Sequence, residues 1–217
     1  MNQNLVSYYS DRAKEYEKVY LNPVEQEDLQ TAKKIFQDLF ANKSVLEIAC
    51  GTGYWTERIA KTATSIYATD INESVIEIAK ERQKDNITFA VADMFDFTPV
   101  EKFDAVFGGF IWSHILLQDL DKFLEKISGF VKPNGTIVFI DGNAVEGTNH
   151  DLKNITKTDE FGNTFQMRKL ENGTKHLVLK NFPKKKFLIQ KLSRIATEIK
   201  FINLEYYWIL TCKLLEN

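Results

Sequence analysis

The chain is poor in cysteine and histidine, and neither sign of charge prevails in it. Only Cys50 and Cys212 occur among 217 residues. They stand too far apart for a metal-spaced pair, so reduced thiols are expected rather than a thiolate metal site or a disulfide frame. Lysine and arginine number 28 against 30 aspartates and glutamates, a net charge of −2. No overall basic field exists to hold a polyanion, which argues against a nucleic-acid substrate. No apolar run approaches membrane-spanning length. The opening Met-Asn-Gln-Asn, followed by tyrosines and charges, holds no apolar signal region. A cytoplasmic location without a membrane partner is the expectation. Internal repeats and low-complexity linkers are also lacking.

What is present suits one α/β domain over residues 1–217, since 44% of the chain is hydrophobic. Tyr8, Tyr9, Tyr16 and Tyr20 stand among charges in a short helical arm, and Leu29, Ala32, Ile35, Phe36, Leu39 and Phe40 then recur at helical spacing. Residues 1–42 are therefore expected to form a helical arm or lid. Strands are expected at 43–48, 64–69, 87–92, 103–108 and 136–140, with helices between them at 55–61, from Asn72, and at 116–131. Alternating strands and helices specify a parallel, doubly wound sheet, which binds ligands at the carboxyl ends of its strands. Glu47, Asp70 and Asp93 all fall at such ends. After the fifth strand the rhythm breaks. Two partly alternating runs flank Glu171-Asn172-Gly173, so 142–183 is expected to hold an inserted β-hairpin over the acceptor site. Phe161, Phe165, Met167 and Phe182 offer an apolar lining there, or packing of the hairpin, or a dimer contact. Residues 199–206 and 207–214 close the chain as an antiparallel pair.

The most informative segment is Val45-Leu46-Glu47-Ile48-Ala49-Cys50-Gly51-Thr52-Gly53-Tyr54-Trp55-Thr56. A buried strand turns there into a helix through two glycines, which let the backbone approach a ligand closely. A carboxylate beside this turn suits a positively charged ligand and repels a pyrophosphate. With Asp70 in Tyr67-Ala68-Thr69-Asp70-Ile71-Asn72 and the pair Asp93-Met94, the set resembles the class I S-adenosylmethionine-dependent methyltransferases over nearly the full length. Phe103-Asp104-Ala105-Val106-Phe107-Gly108-Gly109 and Val131-Lys132-Pro133-Asn134-Gly135-Thr136 resemble later motifs of that family. Ala49 stands where the pattern more often has glycine.

The resemblance implies a Rossmann-like seven-stranded sheet, mostly parallel, with an antiparallel C-terminal strand pair. It implies S-adenosylmethionine as methyl donor and S-adenosylhomocysteine as product. Glu47, Ala49, Gly51 and Gly53 would form the cofactor turn, and Asp70 with Ile71 would meet the ribose. Asp93 and Met94 would meet the adenine, with Gly109 at the fourth strand end. Tyr9 and Tyr16 would close over the cofactor, or else form a packing stripe. Trp55 would line the site or staple its helix to the sheet, and Trp112 would wall the pocket or join the core. No dedicated catalytic motif is present: there is no Asn/Asp-Pro-Pro-Tyr, no pyrimidine-methylating cysteine and no set of metal ligands. His114 is the candidate general base, the alternative being a structural imidazole bonded to a backbone carbonyl. His150 and His176 are expected to be solvated. A small-molecule acceptor is expected. The alternatives are a protein or RNA acceptor, or a binding module without catalysis, and a homodimer is left open.

Overall fold

The computed structural model describes residues 3–216, with the side chain of residue 3 left out. Its centre is a seven-stranded sheet in the order β3-β2-β1-β4-β5-β10-β9. The strands are β1 (Ser44–Ile48), β2 (Ser65–Asp70), β3 (Ile87–Val91), β4 (Phe103–Gly109), β5 (Val131–Gly142), β9 (Ala196–Asn203) and β10 (Tyr207–Leu214). β10 runs antiparallel to both β5 and β9, and the other pairings are parallel. The helices are α1 (Gln3–Arg12), α2 (Gln26–Phe40), α3 (Tyr54–Ile59), α4 (Glu73–Ala79), α5 (Leu120–Phe130) and α6 (Lys185–Leu192).

Strand periodicity divides the core. Val45, Phe107, Val138 and Ile209 face one layer, where Phe36, Phe40, Trp55 and Ile59 from α2 and α3 pack. Their chain neighbours Leu46, Val106, Phe139 and Leu210 face the other, against Phe123, Leu124 and Ile127 of α5 and Leu188 of α6. Successive side chains of a strand point to opposite faces, so each buried strand serves both layers. Trp112 lies in the second layer among Phe123, Phe139 and Trp208, and it lines neither cavity described below.

Strand order reverses between β1 and β4, whose ends register as Ile48 beside Gly108. A crevice opens at such a switch point because the flanking crossovers leave on opposite faces.

Three departures from the sequence reading stand out. Residues 132–135, between the expected helix and the expected strand, are absorbed into β5 as a bulge: Phe103 pairs with Val131, while Ala105 pairs with Thr136. Asn134 sits at φ 58 to allow it. The next-to-last strand lies earlier than the expected 199–206, with β9 running from Ala196 to Asn203. The inserted segment holds the expected hairpin, β7 (Thr164–Lys169) paired with β8 (Lys175–Leu179), and adds a third antiparallel strand, β6 (Ile155–Thr158), beside β7. β6 is short and its last three residues are exposed, so it shows little alternation in the sequence.

Candidate active site

Two cavities meet at the carboxyl edge of the sheet. The first encloses about 690 Å³, its open mouth included. Its floor is the turn after β1. Ala49, Gly51 and Gly53 hold φ of 51, 54 and 80 there. That left-handed region explains why a glycine is usual at position 49. Asp70 holds the turn from the next strand: its Oδ2 accepts from Gly51 N–H at 3.0 Å and its Oδ1 from Asn72 N–H at 2.9 Å.

Of the residues named from the sequence, Ala49, Gly51, Asp70, Ile71, Met94 and Gly109 line this cavity, as do Tyr9, Tyr16 and His114. Tyr16 lies over the glycine turn, where a Cβ on Gly51 would meet its ring at 3.8 Å. Leu5, Val6, Asn72, Val75, Phe110 and Ile111 complete the wall. Leu5 and Val6 had no sequence signal, because a single helical turn of arm residues carries no motif.

Besides Trp112, four named residues lie outside the lining. Gly53 is packed against Ala79, Arg82 and Phe89, and its role is to turn the chain into α3. Asp93 stands between the lining residues Ala92 and Met94, and its Oδ1 accepts from Phe95 N–H at 2.9 Å. Trp55 is core: it packs on Phe36 and Phe107 beneath Gly109. Glu47 is 2% exposed beneath the turn, and its Oε2 has no hydrogen-bond partner among the described residues. Burial pushes its pKa up to about 8, with the Thr56 hydroxyl pulling it down and Asp70 pushing it further up.

The arm is tied across this cavity. Glu17 accepts from the Thr52 hydroxyl at 2.8 Å and from Arg82 at 2.5 Å, while Arg82 also donates to Thr52 C=O and to Glu57. Tyr8, Tyr9, Tyr16 and Tyr20 make successive edge contacts, with centroids 5.0, 5.8 and 5.9 Å apart. Leu5 and Tyr8 pack on Leu170 and Val178 of the inserted sheet.

The second cavity is larger, about 900 Å³ on the same measure, and shares Tyr9, Tyr16, Phe110 and His114 with the first. Its far wall is the inserted sheet. Asn181 and Asn163 clamp that sheet onto the segment after β4, through Ser113 C=O, Ile115 C=O and Leu117 N–H. The wall is polar, and of the three uses open to Phe161, Phe165, Met167 and Phe182 the apolar lining is not found here, since none of them lines this cavity. Arg168 faces the cavity from β7, with the buried Gln166 behind it accepting its hydrogen bond, whereas Met167 is 49% exposed and Phe161 58% exposed. One residue of offset along a strand exchanges the faces. His150 also lines this cavity rather than standing in solvent, and burial lowers its pKa to about 2. It rests on Gly142, where any Cβ would overlap the imidazole.

His114 sits at the shared wall, 5% exposed. Its Nδ1 lies 2.5 Å from Leu179 C=O, so Nδ1 carries the proton and Nε2 accepts from the Tyr9 hydroxyl at 2.7 Å. Burial, with Lys180 nearby, lowers its pKa to about 3. A neutral imidazole with both nitrogens engaged is a weak base. Next to it, Lys180 Nζ donates to Asp141 Oδ1 and Ser113 Oγ, both at 2.8 Å. Burial opposes the Asp141 charge, yet the Lys180 ammonium and the Ser113 N–H hold its pKa down at about 2.

The first cavity fits an S-adenosyl nucleoside on the chemistry of its walls. It presents one carboxylate and no lysine or arginine, so it offers a pyrophosphate no counter-charge. Two acceptor oxygens of Asp70 suit vicinal hydroxyls, and the unpartnered Glu47 oxygen lies below the glycine turn. Among the described residues no cluster of potential metal ligands occurs, and no helix is long and apolar enough to cross a membrane.

Comparison with known proteins agrees. A family profile described as Methyltransferase domain matches residues 45–135. The malonyl-[acyl-carrier protein] O-methyltransferase 2 of Ilyobacter polytropus is 31% identical over 102 residues, 44% of this chain and 38% of that protein. The phosphoethanolamine N-methyltransferase of Plasmodium falciparum is 29% identical over 170 residues, 75% of this chain and 61% of that protein. The chain thus spans less than two thirds of the length of either relative. Among solved structures, the DhpI–SAH complex superposes with a TM-score of 0.82 at 25% identity, covering 99% of this chain and 97% of that one. The ordered acidic residues at the strand ends, the strand order and these matches show a methyltransferase domain over residues 45–135, on the fold of the class I S-adenosylmethionine-dependent methyltransferases.

Proposed function

We propose that the chain transfers a methyl group from S-adenosylmethionine to a small-molecule acceptor. The observation that carries this reading is the shared wall. Tyr9, Tyr16, Phe110 and His114 separate a cavity suited to the cofactor from a second one roofed by the arm and the inserted sheet. A cavity of that size suits a small acceptor. When bound, the cofactor supplies a methyl activated by its sulfonium centre. Asp70, Ala49 and Gly51 would hold it, Met94 and Ile71 would flank its rings, and Tyr16 would cover it. The residues at the shared wall would align the acceptor and exclude water, which is where positioning lowers the barrier of an in-line displacement. His114 is neutral and bonded on both sides, so its part is to fix the Tyr9 hydroxyl rather than to remove a proton.

The test is incubation with methyl-labelled S-adenosylmethionine and a fractionated cell extract. Label in the small-molecule fraction is expected. Label only in protein or RNA would move the reading to a macromolecular acceptor, and cofactor binding without transfer would mark a binding module.

A further inference from the structure

The two cavities differ in charge, and the second one points to its ligand. We infer that the second cavity binds the acceptor through an anionic group, a carboxylate or a phosphorus oxyanion, held by Arg168 with Arg12. The inference rests on the methyltransferase reading and names the acceptor class for that site.

Arg168 comes from the inward face of β7, and Arg12 from the end of α1. Their guanidinium carbons lie 5.9 and 5.6 Å from the ring centroid of Tyr8, so the two charges flank one aromatic side chain. Both line the second cavity and neither lines the first. Among the described residues, neither forms an ion pair with a carboxylate. Arg168 donates to Gln166 Oε1 at 3.1 Å and lies beside the Tyr8 hydroxyl. A guanidinium has five N–H donors in a planar fork, so donors remain for a ligand oxygen pair.

The same cavity supplies the contrast. Lys180 is 2% exposed and neutralised by Asp141, and Lys18 pairs with Glu171. This protein therefore matches the other cations it places here, and a half-buried cation left without a counter-charge is costly. The cavity's one carboxylate, Glu25, is held by Asn22 at 2.7 Å and by the Tyr207 hydroxyl. The unmatched positive charge of Arg168 and Arg12 thus faces the ligand space. An arginine fork binds carboxylate or phosphate oxygens in pairs, which also fixes ligand orientation against the shared wall.

The experiment is calorimetry on the full chain saturated with S-adenosylhomocysteine, titrated separately with inorganic phosphate and with acetate. At least one anion is expected to bind, and the stronger arm identifies the source chemistry. Arg168→Gln is expected to weaken it by about tenfold or more, with Arg168→Lys in between and Lys61→Gln, an exposed surface control, unchanged. Arg12→Gln is the second probe should Arg168→Gln not fold. S-adenosylhomocysteine affinity is expected to survive all four substitutions. Binding of S-adenosylhomocysteine with no response to either anion would overturn the anionic-acceptor inference and leave the methyltransferase reading intact. Equal anion affinity in Arg168→Gln and Arg12→Gln would do the same. Failure of S-adenosylhomocysteine to bind folded protein would overturn the methyltransferase reading itself, and the acceptor assignment with it.

Discussion

The Tyr9 hydroxyl donates to His114 Nε2 across 2.7 Å, joining α1 to the segment after β4 over a separation of 105 residues. This bond forms the shared wall of the two cavities, and it fixes the imidazole as a neutral acceptor. Tyr9→Phe would leave Nε2 buried without a donor. A loss of about 1–3 kcal/mol in stability is expected, measured by urea denaturation. An unchanged midpoint would mean that the arm does not rest on His114 in solution.

Asp70 organises the turn and faces the first cavity. Asp70→Ala removes the acceptors of Gly51 and Asn72 together with the proposed ribose contact. S-adenosylhomocysteine affinity is expected to fall about 10- to 100-fold by calorimetry, the worth of a charged hydrogen bond. Unchanged affinity would remove Asp70 from the cofactor site.

Glu47 imposes a pH dependence whose sign follows from its burial. Its folded pKa, about 8, lies above the ordinary carboxylate value. The protonated form is thus favoured in the native state, and its contribution is full at acidic pH and is lost as pH rises toward 8. Glu47→Gln mimics the neutral acid. Ligand-free Glu47→Gln is expected to match the wild type near pH 4.5 and to exceed it by about 3 kcal/mol at pH 7. Denaturation curves at the two pH values check this, and a constant difference would refute it.

The Asp141–Lys180 pair predicts an asymmetry. Asp141→Ala strands a buried ammonium and is expected to cost about 3–5 kcal/mol. Lys180→Met leaves Asp141 with the Ser113 N–H, the Ser113 hydroxyl and the Gly142 N–H, at 2.9, 3.0 and 2.8 Å. It is expected to cost clearly less. Thermal unfolding of both variants at pH 7 is the measurement, and equal losses would contradict the assignment of those three donors.

The sheet and the cofactor turn were legible because their signals are local. Val45 to Ile48, then Gly51 and Gly53, spell strand and turn in consecutive residues, and Asp70 and Asp93 mark the next strand ends. Glu47 and Trp55 lie outside the lining of the first cavity for a local reason too, Trp55 taking the stapling place that was its alternative. Strand alternation and the first helical turn settle which way a side chain points, and these two point beneath the turn. The bulge in β5 hid behind a turn motif, because Pro133-Asn134-Gly135 specifies a change of direction without saying whether pairing resumes beyond it.

The second cavity was not legible at all. Arg12, His150, Arg168 and Lys180 are scattered over 169 positions and share no spacing that a motif could carry. The sequence by itself determined the parallel sheet, the glycine turn and the acidic residues at its strand ends, since hydrophobic period and turn chemistry act over a few neighbours. Only the tertiary structure decided what faces the methyl donor. The arm and the inserted sheet meet through long-range packing of Leu5 and Tyr8 on Leu170 and Val178, and that contact gathers the unmatched arginines at one wall.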